Sequence, residues 1–337
     1  MKAAYVVLSA VLLAGCGGTS GPLRMSGAGA TFPAVIYQKW FDVFHQLHPD
    51  IQINYQAIGS GGGIAQLTGG TVDFGASDMP MTIDQIAKMN LKPLHFPTVL
   101  GGVVPTYNIQ GIAGALKFTP ETLAGIYLGS IKTWNDSRLK KDNPAAKLPD
   151  APIIVVHRSD ASGTSFVFTD YLSKVSPEWK TRVGSNTAVS WPVGLGGKGN
   201  EGVSGIVKQT PNSIGYVELI YAVQNQLPYG EVQNSAGNFV KADSNTVTNA
   251  AAGAAANMPD DFRVSITNAP GENAYPISTF TWLLIPSQIT DPTKAKAMRG
   301  FLQWMLTDGQ KFATPLSYAP LPQQVVQKAL AQVGQVR

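Results

Sequence analysis

Residues 23–49 read LRMSGAGATFPAVIYQKWFDVFHQLHP, and this stretch sets the fold class. Leu23–Ser26 is a short strand pattern that runs into the small-residue turn Gly27-Ala28-Gly29-Ala30. Phe32, Val35, Ile36, Trp40, Val43, Phe44 and Leu47 then recur at helical spacing until Pro49 stops the pattern. A strand, a glycine turn and an amphipathic helix make one α/β unit.

The alternation continues outward from there. Ile51, Ile53 and Tyr55 alternate as a strand, Gly59–Gly63 turns into a short helix near Ile64 and Leu67, and Val72–Ala76 is a further strand. Thr82 and Gln85 have capping-box spacing after Pro80. Thr119-Pro120-Glu121 is a helix start, and the polar, proline-bearing run Asn135–Pro152 reads as loop. Ile153–His157 is a buried strand, followed by the helix face Phe168, Tyr171, Leu172 and Val175. Late in the chain, Ile277–Ile285 is a strand, Asp291-Pro292 opens a helix, and a last helix follows Pro322. The expectation is an α/β protein of 337 residues, a length that suits two domains better than one core.

Composition excludes several classes. Charged residues are 14% and the formal net charge is +4, with no basic run interleaved with aromatics, so no nucleic-acid partner is expected. The four histidines make no metal-like cluster, and neither metal nor cofactor is expected. The six tryptophans read as packing and hinge residues. The N-terminus is an address: Lys2, an apolar run Ala3–Leu13 too short to span a bilayer, then Leu13-Ala14-Gly15-Cys16. This resembles a bacterial lipobox, with Cys16, the only cysteine, as the lipidation site and Gly17 onward as a tether.

Three turns rich in Gly, Ser and Thr lie between predicted strands and helices: Ala28–Phe32, Gly59–Gly63 and Ser162–Ser165. Helix N-termini offer unpaired N–H groups, small residues admit an anion to them, and hydroxyls add donors. N-capping alone accounts for any one of these turns; an enclosed oxyanion accounts for all three. Arg158, four residues before Ser162, offers a planar fork for two oxygens, with Asp160 to orient it. Asp78, in Gly75-Ala76-Ser77-Asp78, is the discriminating residue. An ionised carboxylate only accepts, so it suits an anion that still carries a proton and repels one that does not. Gly194–Gly199 matches G-x-G-x-x-G with Glu218 about 20 residues on, but as a lone match in an exported chain it is set aside as a dinucleotide signal.

Several motifs together resemble the phosphate-binding protein family, PstS, of the phosphate-specific ABC transporter. These are GAGATFPAVIYQKW from Gly27, YQAIGSGGG from Tyr55, TVDFGASD from Thr71, SGTSFVFTDYL from Ser162 and WPVGLGGKGNEGV from Trp191. FPTVLGGVVPTYN from Phe96, IYLGSIKTWND from Ile126 and SIGYVELIYA from Ser213 extend the likeness from about Met25 to near the C-terminus. The resemblance implies a two-lobed type II periplasmic-binding-protein fold, in which two α/β domains are joined by two hinge strands with the ligand in the cleft. Residues 1–16 would be the signal and 17–24 the tether; domain I would be 25–108 plus 275–337, and domain II 109–274. Carried over position by position, phosphate contacts fall on Thr31, Phe32 (through its backbone N–H), Ser60, Asp78, Arg158, Ser162, Gly163 and Thr164, with Asp160 as the acidic partner of Arg158. His157 stands where the family often has a second Arg, and Ala161 where Gly is common.

The implied function is phosphate binding outside the cytoplasmic membrane and delivery to membrane permease subunits, by a lipid-anchored monomer without catalysis. Three alternatives stand beside it: a binder of another oxyanion such as sulfate, a phosphate-sensing lipoprotein, and a phosphomonoester hydrolase. The last needs a nucleophile with a base, or a metal; His157, five residues before Ser162, is the one His near the candidate Ser and Thr residues, and no Cys lies near them.

Overall fold

The computed structural model describes residues 21–112 and 114–337; the leader, Cys16 and the first residues of the tether lie outside them. The strands are β1 Leu23–Gly29, β2 Ile51–Ala57, β3 Phe74–Ser77, β4 Pro93–Asn108, β5 Lys117–Phe118, β6 Ile154–Arg158, β7 Leu195–Gly197, β8 Ser213–Glu218, β9 Glu231–Gln233, β10 Phe239–Val240 and β11 Ser278–Pro286. Eight of them form one ladder in the order β2-β1-β3-β11-β4-β8-β6-β7, and β10-β9-β5 make a small second sheet.

The ladder has two parallel wings, β2-β1-β3 and β8-β6-β7, separated by antiparallel pairings. Strand β4 joins them. Its residues Pro93–Gly102 pair with β11 and its residues Val103–Asn108 pair with β8. Because Ser77 lies opposite Trp282, which lies opposite Pro97, the carboxyl end of β3 points toward the middle of β4. Glu218 lies opposite Val103, so β8 also ends at the middle, arriving from the other side. The carboxyl ends of both parallel wings therefore face each other. Open α/β sheets bind ligands beyond those ends.

The helices form where the apolar period asks for them. The Ala34–Leu47 helix buries Ile36, Tyr37, Trp40, Phe41 and Phe44, and Phe301 of the Pro292–Leu306 helix packs against Phe41 at a tilt and against Phe44 edge to face. Its stripe runs one turn past the core: Leu47 is 57% exposed, against its expected place on the buried face. The Thr82–Gln85 capping box, the Thr119 cap with Pro120 and the Asp291 cap with Pro292 all form as read from sequence. The loop expected over residues 135–152 contains a short helix, Ser137–Asp142, because Asp136 accepts from the Arg138 backbone N–H and caps it.

The segment that returns from β10 to β11 bonds to both wings. The Trp282 indole donates to Phe262 O and Arg263 donates to Met81 O. Further on, Lys174 and Asp170 of the Gly163–Val175 helix hold Ser265 and Thr267. No helix among the described residues is long and apolar enough to cross a membrane.

Candidate functional site

Every predicted turn sits at the carboxyl end of a parallel strand. Thr31 follows β1, Ser60 follows β2 and opens the Ser60–Thr68 helix, and Asp78 follows β3. On the facing wing Arg158 ends β6, and Ser162 caps the Gly163–Val175 helix by accepting from Ser165 N–H at 3.1 Å. Thr31, Phe32, Ser60, Asp78, Arg158, Ser162 and Thr164 are each 3% exposed or less, so water reaches none of them freely.

The two wings touch through these residues. Gly163 N–H donates to Ser60 Oγ at 3.0 Å, and Gly61 N–H donates to Ala161 O at 2.9 Å. A Cβ on Gly163 would strike Ser60 Oγ and Asp78 Oδ2, so this approach requires glycine. Gly59 has φ +90 and packs against Asp160, a backbone shape and a closeness that favour glycine for two separate reasons.

Three tyrosines hold the first turn. The hydroxyls of Tyr55, Tyr221 and Tyr318 donate to Ala30 O, Thr31 O and Phe32 O at 2.7, 2.6 and 2.7 Å. Three successive carbonyls are thereby occupied at the head of the Ala34–Leu47 helix, whose leading amides carry the positive end of its dipole.

The charged groups divide between the wings. Arg158 donates through Nε and Nη2 to Asp160 Oδ1 and Oδ2 at 2.8 and 2.6 Å. Burial works to raise the Asp160 carboxyl, but the bonds and charge of Arg158, with the Gly199 N–H, together outweigh this and hold it below the usual carboxylate range. Arg158 N–H donates to Tyr216 Oη, which is itself bonded to Ser165 Oγ at 2.6 Å. The third face of the guanidinium, Nη1, is buried with no protein partner. Opposite it, Asp78 Oδ1 accepts from Thr281 Oγ1 at 2.8 Å, while Asp78 Oδ2 is also buried and unpartnered. Burial pushes the Asp78 carboxyl up to about 7, with Thr281 and the charge of Arg158 pulling against that rise. Buried polar atoms are nearly always paired. A bare donor on one wing and a bare acceptor on the facing wing suit a ligand that offers both functions.

Sequence reasoning missed two participants. Thr281 sits in the middle of β11 with no local mark. Asn200 opens the Gly199–Gln209 helix after β7, one residue beyond the run set aside as a lone dinucleotide match. Its side-chain amide donates to Thr31 Oγ1 at 2.8 Å and to Thr164 Oγ1 at 3.2 Å, bridging the wings. The site thus gathers a fourth helix N-terminus, signalled by a strand followed by Gly-Lys-Gly-Asn. Trp191, of the same motif, packs outside the site: it stacks on His157 at 4.9 Å and on Tyr216 at 5.5 Å. Among the described residues no cluster of His, Cys, Asp and Glu suits a metal ion.

Residues 17–309 match the PBP superfamily domain. The chain is 46% identical over 307 residues to the phosphate-binding protein PstS of Xylella fastidiosa (strain Temecula1), covering 91% of this chain and 84% of that one. It is 45% identical over 327 residues to the phosphate-binding protein PstS of Pasteurella multocida, covering 97% and 94%. In fold it resembles a high-affinity periplasmic phosphate-binding protein solved with phosphate bound, at TM-score 0.73 and 21% identity over 92% of this chain and 94% of that one. It also resembles a phosphate-binding protein from Stenotrophomonas maltophilia, at TM-score 0.68 and 18% identity over 92% and 94%. The curled eight-stranded sheet, with its two facing wings, is the two-lobed type II periplasmic-binding-protein fold, and the chain belongs to the PBP superfamily and, within it, to the PstS phosphate-binding protein family.

Proposed function

We propose that this protein captures inorganic phosphate outside the cytoplasmic membrane and delivers it unchanged to the permease subunits of an ABC importer. The observation that carries this reading is the pair of buried, unpartnered atoms, Arg158 Nη1 and Asp78 Oδ2, enclosed among helix N-termini. Near neutral pH phosphate offers bare oxygens to the guanidinium and one hydroxyl to a carboxylate. Sulfate offers only the oxygens, and a carboxylate facing it has nothing to accept. The phosphate contacts in this reading are Thr31, Phe32 through its N–H, Ser60, Asp78, Arg158, Ser162, Gly163 and Thr164, with Asp160 supporting Arg158. The names of the relatives agree with it.

The reading extends to three features beyond the site. Cys16 carries a lipid that tethers the protein to a membrane, through residues 17–24. The lobes divide within β4 and not at its end: 25–102 plus 275–337 form one and 103–274 the other, because Val103–Asn108 pair with β8. The protein acts as a monomer and catalyses nothing. Closure of the lobes is driven by the anion's greater affinity for the shut form, and the dry enclosure strengthens each charge-assisted bond.

Calorimetric titration in phosphate-free buffer near pH 7.5 is the decisive experiment. Phosphate should bind one per chain, with no measurable heat from sulfate at the same concentrations. Equal or tighter sulfate binding would remove phosphate as the ligand.

A further inference from the structure

The hydroxyls of this site have a fixed polarity, and the fixing groups come from across the cleft. A threonine or serine hydroxyl has one hydrogen to give and two lone pairs. Thr31 Oγ1 accepts from Asn200 twice, from the backbone N–H at 3.2 Å and from Nδ2 at 2.8 Å. Both lone pairs are filled, and its hydrogen must point away from Asn200. Ser60 Oγ accepts from Asp78 N–H at 3.3 Å and from Gly163 N–H at 3.0 Å, with the same result. Thr164 Oγ1 accepts from Asn200 Nδ2 at 3.2 Å. The Asn200 amide cannot be turned the other way, because its Oδ1 accepts from Glu218 N–H at 3.0 Å.

We infer that Asn200 is a positioning residue for selectivity: on closure it fills both acceptor sites of Thr31 and one of the two on Thr164, which leaves the Thr31 hydroxyl a donor only and turns the Thr164 hydrogen away from Asn200. Gly163 N–H completes the same lock on Ser60. Thr31 and Ser60 belong to one wing, Asn200 and Gly163 to the other, so both locks exist only when the wings meet. In the open form the hydroxyls of Thr31 and Ser60 accept as readily as they donate. In the closed form the hydroxyls of Thr31 and Ser60 cannot receive a ligand hydrogen, so on their wing Asp78 alone does, and a second hydrogen on that side of the anion is left unmatched. Closure thus creates the preference for the singly protonated anion.

This inference rests on the phosphate reading above, and its test separates the two. Wild-type protein that takes up no phosphate in the calorimeter overturns the phosphate reading itself. If wild type binds, phosphate titrations of Asn200→Ala, Thr31→Val and the double variant follow, each at pH 8 and pH 5.5. Asn200→Ala should weaken binding roughly 10- to 100-fold at pH 8, where the singly protonated anion dominates. The loss should shrink severalfold at pH 5.5, because the freed hydroxyls can accept the second hydrogen of dihydrogen phosphate. Asp78, Arg158, Asp160, Glu201 and Glu218 surround these groups in both proteins, so the ratio of variant to wild type removes their common titration. In the Thr31→Val background the same substitution should cost clearly less, since part of its action passes through the missing hydroxyl. A merely structural role gives losses that are equal at both pH values and additive with Thr31→Val, and either result overturns the inference. Should the variants fail to fold, neutron diffraction of the wild-type phosphate complex decides. The Thr31 hydroxyl deuterium should lie toward the ligand, and finding it on the line to Asn200 overturns the inference.

Discussion

The two wings meet one small volume with different chemistry. The β1–β3 wing brings neutral donors and one carboxylate, Asp78, whose free oxygen can only accept when ionised. The β6–β8 wing brings the cation, Arg158, held rigid by Asp160, together with the amides of Gly163 and Thr164 and the lock at Asn200. In the proposed reading, attraction for the anion is concentrated on one side and the reading of its hydrogen on the other. A site that put both on one wing would bind before it closed. Under the proposed contacts neither wing alone offers a complete shell, and affinity depends on the meeting.

The largest test of that division is Arg158→Ala. Truncating one partner of a buried ion pair costs about 3–5 kcal/mol, so phosphate affinity should drop by roughly 10²- to 10⁴-fold, measured by calorimetry. A loss under tenfold would mean that charge does not reside on this wing.

Asp78→Asn addresses the other wing. The ratio of phosphate to sulfate affinity should fall by roughly 100-fold, about 3 kcal/mol, because the repulsive acceptor is gone; an unchanged ratio would end the role given to this carboxylate. The same substitution has a signature without ligand. The folded Asp78 titrates at about 7, against about 3.9 in an unfolded chain. Folding therefore favours the protonated form. The stability that this contributes is present in full below about pH 4 and is lost as pH rises toward 7. Ligand-free Asp78→Asn should gain on wild type as pH rises from 4 to 8 in denaturant melts, by at most about 4 kcal/mol, the value for a carboxyl held as buried as in the closed form, and match it near pH 4.

The smallest effect is expected away from the cleft. Thr82→Ala removes the capping box of the Ile83–Ala87 helix and should cost roughly 1 kcal/mol of stability, with phosphate affinity unchanged. A change in affinity would show that the β1–β3 wing transmits strain to Asp78.

Much of this was legible because the site is built from local junctions. Thr31, Ser60, Asp78, Arg158 and Ser162–Thr164 all lie where a strand gives way to a helix or a tight turn, and such junctions advertise themselves in glycine and hydroxyl residues. Thr281 could not be read this way. It is a mid-strand residue whose importance comes from pairing with Asp78 across 203 positions, and no local pattern encodes a partner that distant. Asn200 directly follows the G-x-G-x-x-G run, and an asparagine there carries no pattern of its own to set it apart from an ordinary helix start. Strand β4 was hidden by its own composition: Pro97, Pro105 and the Gly101-Gly102 pair look like breaks. The protein accommodates Pro97 with a bulge, since Thr281 pairs with Val99 and Trp282 with Pro97, leaving Thr98 unopposed to bond Tyr37 and Thr281 O.

That strand has a mechanical consequence. Its first ten residues belong to one wing's ladder and its last six to the other's, so tension applied to either half passes along peptide bonds into the other. The lobes are less like two beads on a string than two pages sewn to one spine. Heat or denaturant that loosens one should release the other with it, and opening the cleft must bend this ribbon without unpicking its stitches.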